Sequence, residues 1–188
     1  MSLPSITHPA LPPFAHLAEQ FCQLVDAHKG SDRSTFLGSV HRLLPQLYTA
    51  ALALPETGVL FAKSSPDDDS GTSPSGEPLD TEGRAALHHS LSTLIGPEHD
   101  LYREVFNPYD PATEPEVVGL LSDDIADIYH DLRRGLEHWH RRETGEALWE
   151  WRFNFEHHWS EHATGALRAI SALSRVFALN WPHEPGAA

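Results

Sequence analysis

The most regular alternation of apolar and polar residues in the chain lies between Leu120 and Trp139. Its apolar residues recur every three or four positions, which places them on one face of an α-helix. They are Leu121, Ile125, Ile128, Leu132, Leu136 and Trp139. Ser122, followed by Asp123 and Asp124, predicts the start of this helix. A serine oxygen can cap free backbone amides, and carboxylates suit the positive end of the helix dipole.

A second long helical pattern runs from Glu146 to about Leu179 and ends at the sequence Asn-Trp-Pro. Its apolar stripe includes His162, so this histidine is expected to point inward. The stripe consists of Leu148, Phe155, Trp159, His162, Ala166, Ile170, Leu173 and Phe177. Two amphipathic helices of this length are expected to lie side by side with their apolar stripes in contact.

Three shorter helical patterns precede the two long ones. The spacing of apolar residues predicts helices over residues 14–28, 33–54 and 81–95. Pro45 falls inside the second of these and is expected to kink or break it, because proline has no backbone N–H.

The remaining segments predict how the chain is divided. Residues 1–13 contain four prolines and predict an extended arm, and residues 182–188 predict a flexible tail. Residues 63–80 are rich in Ser, Pro, Gly and Asp and bury too little apolar surface to be ordered. We therefore expect an all-α antiparallel bundle of about five helices, with one long mobile acidic loop, formed as a single domain by residues 14–181.

Composition narrows the class of protein. A chain of 188 residues with 40% hydrophobic content suits one core. The net charge of −14 argues against nucleic acid as a partner, because phosphate binding needs a basic face. Cys22 is the one cysteine, so an intrachain disulfide is excluded and a buried, inert thiol is expected. With no signal peptide and no apolar run of about 18 residues, we expect a soluble cytoplasmic protein that does not bind membranes.

Three aspartates, Asp124, Asp127 and Asp131, lie on a stripe beside the apolar face of the central helix. One interpretation is a solvated flank with local ion pairs, such as Asp131 with Arg134. The other is a site for a divalent cation, because spacings of three and four let these carboxylates converge on one Mg²⁺ or Mn²⁺. The sequence leaves both interpretations open.

Two histidines on the second long helix extend the cation hypothesis. His158 and His162 are four residues apart, so their rings can meet on one helix face, as Zn²⁺-binding histidines do. Two ligands make an incomplete site, and the central helix can supply Asp127 or Asp131. The alternative is structural, with His162 as a hydrogen-bonded core residue and His158 as a surface residue beside it.

Three further residues are candidates for binding a ligand. Trp151 and Arg152 flank the apolar stripe of the second long helix, where Arg152 can steady a phosphate or pair with an aspartate. Tyr109 lies in the proline-rich segment 107–116, which joins the third helix to the central one. Its ring is expected to pack against the bundle, with the hydroxyl hydrogen-bonded at the edge.

Parts of the sequence resemble a bacterial family of uncharacterised all-helical proteins, known as a domain of unknown function. The resemblance is carried by Asn-Pro-Tyr at residues 107–109, by SDDIADIYHDLRRGL from Ser122 to Leu136, and by WRFNFEHHWSEHATGALRA from Trp151 to Ala169. It covers roughly the last 80 residues well and the preceding ones only in the order of helices. It implies an all-helical fold and assigns no catalytic residues.

Two functional hypotheses follow from these patterns. The first is a non-enzymatic binding or protein-interaction module, which can bind a protein partner or self-associate through helix faces. Its cleft would be lined by Asp124, Asp127, Asp131, Arg152, His158 and His162. The alternative is a hydrolase that depends on a divalent metal and acts on a phosphorylated or nucleotide-like substrate. In that case the aspartates would hold the ion, and a histidine would be a ligand or a general base.

Overall fold

The described part of the chain folds into a helical bundle with a small two-stranded sheet, which confirms the predicted all-α class. The computed structural model describes residues 6–56, 81–104, 109 and 117–176. The predicted loop over residues 63–80, the predicted tail and the first five residues of the predicted arm lie outside this range. Within it, no helix is both long and apolar enough to cross a membrane.

The helices follow the predicted order. They are α1 (Leu11–Asp26), α2 (Arg33–Leu52), α3 (Thr81–Ile95), α4 (Pro97–Asp100), α5 (Leu121–His140), α6 (Thr144–Asn154) and α7 (Ser160–Val176). Helix α1 begins at Leu11, three residues before the predicted start. Pro12 and Pro13 are tolerated in its first turn, because the backbone N–H groups there have no hydrogen-bond partner within the helix and proline lacks this group. Of the predicted kink or break at Pro45, the break does not occur, because α2 continues through this residue. Its neighbours Leu44 and Leu47 are fully buried, and this packing outweighs the missing hydrogen bond.

Helix α5 occupies the centre of the bundle and packs against α1, α3, α6 and α7. Five of the six residues in its predicted apolar stripe are buried, and Trp139 is half-buried against the same core. The core also contains large aromatic side chains from the surrounding helices. These are Phe14, Phe21, Phe36, Trp151 and Trp159. One face of α5 is thus fixed by apolar packing, which determines where its polar side chains point.

The start of α5 differs from the prediction. Ser122 lies inside the helix and does not cap it with its own side chain. Instead, the Asp100 carboxylate at the end of α4 accepts from the Ser122 backbone amide at 2.7 Å and from the Ser122 hydroxyl at 2.9 Å. Ser92 on α3 donates to the same carboxylate at 2.7 Å. A buried carboxylate from another helix therefore takes the capping role and ties α3, α4 and α5 together.

Replacing Asp100 with alanine is expected to lower the free energy of unfolding by about 2 kcal/mol. The Ser122 amide and the hydroxyls of Ser92 and Ser122 would lose their buried acceptor. Urea denaturation measures this change. The comparison is Asp32→Ala, which removes the exposed cap that accepts from the Thr35 amide at the start of α2. Equal costs for the two variants would contradict the role assigned to Asp100.

The sequence did not predict a β-hairpin before α5. Strand β1 (Leu101–Glu104) pairs antiparallel with β2 (Val117–Leu120), and Tyr102 stands opposite Gly119. A Cβ atom at Gly119 would overlap the Tyr102 ring, so glycine makes room for it. Tyr102 is thereby placed over the start of α5 and against α7.

The second long helical pattern is interrupted at its middle. A π-helical turn (Phe155–Trp159) joins α6 to α7 without a loop, where the sequence predicted a single regular helix. A π-turn adds a residue to one helical turn and rotates everything after it, and such turns are frequent at functional sites. His158 lies in this turn, and His162 lies in the first turn of α7.

Cys22 is buried in α1, as predicted, and burial raises the pKa of its thiol to about 12. The thiolate is the reactive form, so the folded protein is expected to resist a thiol reagent at neutral pH. Labelling with a chromogenic disulfide should be complete only in denaturant. Rapid stoichiometric labelling of the folded chain would contradict this placement.

Candidate metal centre

The acidic stripe of α5 faces the histidines of the π-turn and α7. Asp124, Asp127 and Asp131 have exposed fractions of 6, 9 and 1%. The interpretation of this stripe as a solvated helix flank is therefore wrong. Carboxylates at this depth need partners, because burying an unpaired charge is costly.

His158 is held by Asp131. The Nδ1 atom of His158 donates to Oδ2 of Asp131 at 2.6 Å, and the other carboxylate oxygen accepts from Arg134 at 2.6 Å. This confirms the predicted pair between Asp131 and Arg134. The hydrogen bond at Nδ1 fixes the ring orientation and leaves Nε2 as the nitrogen that can bind a ligand.

His162 is held in the same way by Asp124. The Nδ1 atom of His162 donates to Oδ1 of Asp124 at 2.9 Å, and the Tyr102 hydroxyl donates to Oδ2 at 2.7 Å. The hydrogen bond to Asp124 raises the pKa of His162, while burial raises the pKa of Asp124 itself. Burial and the neighbouring Asp124 also raise the pKa of Tyr102, so the phenol remains a donor.

The two free imidazole nitrogens converge on Asp127. Oδ2 of Asp127 lies 3.5 Å from Nε2 of His162 and 4.0 Å from Nε2 of His158. Oδ1 of the same carboxylate forms an ion pair with Arg84 of α3. One ligand atom from each of Asp127, His158 and His162 lies within 4.8 Å of the other two. These three residues form the cluster that we call the Asp-His-His cluster.

The spacing of the Asp-His-His cluster fits a metal ion. Ligand atoms about 2.0–2.2 Å from a tetrahedral ion stand about 3.3–3.6 Å apart. To reach that arrangement, the distances from Oδ2 of Asp127 to the two Nε2 atoms must shorten by less than about 1 Å. Metal-binding histidines commonly donate their other N–H to a carboxylate, which is the arrangement at both His158 and His162.

The cluster offers three protein ligands, which leaves coordination positions for an exogenous molecule. Three protein ligands with an open position are typical of catalytic metal sites, whereas structural zinc sites use four. The side chain of His158 is 40% exposed, so the cluster opens to the surface on the side of the π-turn.

A buried charge network continues from the cluster into α6. Glu150 lies 3.5 Å from Arg134, and Asn154 donates to Glu150 at 3.1 Å. Burial raises the pKa of Glu150, and the positive charge of Arg134 partly offsets this rise. The network fixes Arg134, and through it Asp131, behind His158.

The three residues predicted to bind a ligand do not join the cluster. Trp151 is fully buried, and its indole N–H donates to the Leu132 carbonyl at 3.1 Å. Arg152 pairs with Glu156 and reaches carbonyls at the end of α2, so the predicted pairing with an aspartate is wrong. Tyr109 is 93% exposed, which contradicts its expected packing against the bundle.

The sequence did not predict two residues that contact aspartates of the site. Arg84 lies in α3, a helix with a weak apolar pattern, and no local motif links it to Asp127. Tyr102 lies in the unpredicted hairpin and reaches Asp124 only through the pairing of β1 with β2. Both contacts join residues that are distant in the chain, and helical periodicity carries no information about them.

The fold and the cluster together define a helical-bundle protein with a half-buried histidine–aspartate cluster. The chain belongs to the family described as Domain of unknown function (DUF5063), whose model matches residues 6–175. The crystal structure of protein BF1032 from Bacteroides fragilis, a structural genomics target, has the same fold, with a TM-score of 0.67. It is 21% identical, and the alignment covers 96% of each chain. No curated protein matches the chain.

Proposed function

We propose that this protein binds one divalent metal ion at the Asp-His-His cluster. The observation that carries the proposal is the pair of imidazoles whose Nδ1 atoms are held by Asp131 and Asp124, while both Nε2 atoms face Asp127. Two unrelated structural hydrogen bonds would not require the second nitrogens to converge. A bound ion supplies a reason for this convergence.

The donor set favours some ions over others. Two imidazoles and one carboxylate suit Zn²⁺, and the same set with open positions is used by non-haem Fe²⁺ sites. Mn²⁺ and especially Mg²⁺ prefer oxygen ligands, so they are expected to bind more weakly. The sequence had suggested Mg²⁺, Mn²⁺ or Zn²⁺, and the nitrogen donors make Zn²⁺ the first ion to test.

Thermal unfolding tests the proposal directly. The protein is stripped with EDTA and then titrated with Zn²⁺, Fe²⁺ under anaerobic conditions, Mn²⁺ and Mg²⁺. Free Zn²⁺ at 100 times Kd should stabilise the fold by about 2.7 kcal/mol. His162→Ala and Asp127→Ala should abolish this gain. The matched control is His157→Ala, since His157 neighbours His158 but hydrogen-bonds its own helix backbone.

An absence of stabilisation by every ion would contradict the metal-binding proposal. The non-enzymatic interaction module, with a protein partner or a second copy of the chain, would then be the remaining hypothesis. A gain of the same size in His162→Ala would place the ion elsewhere and would equally contradict the proposal.

Hydrolysis of a phosphorylated substrate is the second candidate function, and the open coordination positions favour it. A bound divalent ion with an open position can lower the pKa of a coordinated water to about 7. The tests are phosphomonoester hydrolysis by Zn²⁺-loaded and Mn²⁺-loaded protein, with Asp127→Asn as the variant expected to be inactive. Equal turnover by Asp127→Asn or by the EDTA-treated protein would exclude this function.

A further inference from the structure

Arg84 places a positive charge beside the Asp127 carboxylate of the cluster. It lies on α3, and its side chain is 33% exposed. Its guanidinium pairs with Oδ1 of Asp127, whereas Oδ2 of the same carboxylate faces the imidazoles. The guanidinium and the proposed ion would therefore each bind one oxygen of the same carboxylate, a separation that a single phosphate group can span.

We propose that Arg84 and the bound ion together bind a phosphate group at the open coordination position, an inference that rests on the proposed metal site. Among the described residues, Asp127 is the partner of the Arg84 guanidinium. Arginine has five N–H donors in a planar fork, so further donors are available to an oxyanion. Phosphate can coordinate the ion with one oxygen and accept from the fork with two others.

The other arginines near the cluster pair with acceptors other than Asp127. Arg134 is held between Asp131 and Glu150, behind His158. Arg152, which the sequence suggested as the phosphate ligand, is held by Glu156 and the end of α2. The phosphate role therefore moves from Arg152 to Arg84.

Phosphate binding at this position requires the metal ion. Without an ion, the buried aspartates Asp124, Asp127 and Asp131 make the site acidic, in a chain whose net charge is already −14. An anion would meet repulsion that Arg84 alone does not offset. With a divalent ion in place, the ion and Arg84 face the anion together, so metal binding and phosphate binding are coupled.

Cobalt-substituted protein tests the inference separately from the metal site. Co²⁺ bound by two imidazoles and a carboxylate gives visible absorption bands that respond to a new ligand. Inorganic phosphate is titrated into Co²⁺-loaded wild type, Arg84→Gln and Arg42→Gln, and acetate is titrated as the comparison anion. Arg42 is a surface arginine on α2 and controls for the lost charge.

We expect phosphate to change the spectrum of the wild type and of Arg42→Gln with the same Kd. Arg84→Gln should keep the cobalt bands and bind phosphate at least tenfold more weakly. If Arg84→Gln loses cobalt, Arg84→Lys keeps the charge beside Asp127 without the fork, and should bind phosphate at least threefold more weakly.

Each contrary result has its own meaning. Cobalt bands that do not respond to phosphate, or an unchanged phosphate Kd in both Arg84 variants, would overturn this inference and leave the metal site standing. A spectral change at lower acetate than phosphate concentration would overturn the assignment to phosphate. Failure of the wild type to bind cobalt would overturn the metal site and this inference together.

Discussion

Replacing Trp151 with alanine is expected to lower the free energy of unfolding by about 3–5 kcal/mol, because a fully buried tryptophan leaves a large cavity. The indole lies over Gly135 of α5, where a Cβ atom would overlap the ring. Its N–H donates to the Leu132 carbonyl in the same helix. Trp151 is therefore a buried contact that holds α6 against α5.

Denaturation in guanidinium chloride measures this loss, and Trp149→Ala is the matched control. Trp149 lies two residues earlier on α6, is half-buried and stacks on Phe153 with ring centroids 5.0 Å apart. Its removal is expected to cost about 1 kcal/mol. A Trp151→Ala variant no less stable than Trp149→Ala would contradict the central packing role. It would also reopen the predicted role of Trp151 in ligand binding.

Neutralising Asp124 or Asp131, the carboxylates that accept from His162 and His158, is expected to weaken Zn²⁺ binding. The expected loss is about 10–100-fold, or about 1.4–2.7 kcal/mol. Asp124→Asn and Asp131→Asn keep the size of the side chain and an acceptor oxygen. They remove the charge that makes each imidazole a stronger ligand. Neither residue touches the proposed ion, so the loss arises through His162 and His158.

Competition with a chromophoric chelator gives the Zn²⁺ affinity of these variants. Asp123→Asn is the control, because Asp123 neighbours Asp124 and is exposed, so it removes the same charge from the same helix. We expect its Zn²⁺ affinity to change less than threefold. Equal effects of Asp123→Asn and Asp124→Asn would show that general charge, not the hydrogen bond to His162, controls affinity.

Most of the fold was predictable because local spacing carries the information. The five predicted helices follow from apolar residues at three- and four-residue intervals, and the stripe of α5 is buried as that pattern requires. The π-turn was not predictable, since one added residue within a helix leaves little trace in the apolar spacing. The hairpin was missed because β1 and β2 have only four residues each and are not joined by the tight turn that signals a hairpin in a sequence.

The site was predictable in part for the same reason. The spacings of the aspartates on α5 and of His158 and His162 are local, and the structure brings all five together. Which aspartate faces the Nε2 atoms of His158 and His162 depends on how α5 and α7 are rotated about their axes. The π-turn before α7 sets the rotation of that helix. Arg84 and Tyr102 come from other elements, so their contacts could be found only after the fold was known.

The most direct measurement is a crystal structure of the protein grown with Zn²⁺, with diffraction data collected on both sides of the zinc absorption edge. We expect an anomalous peak about 2.0–2.2 Å from Nε2 of His158, Nε2 of His162 and Oδ2 of Asp127, with a water or phosphate oxygen completing the coordination. A crystal grown with Zn²⁺ that has no peak there, and in which both histidines are still paired to their aspartates, would contradict the assignment of this cluster as a metal centre.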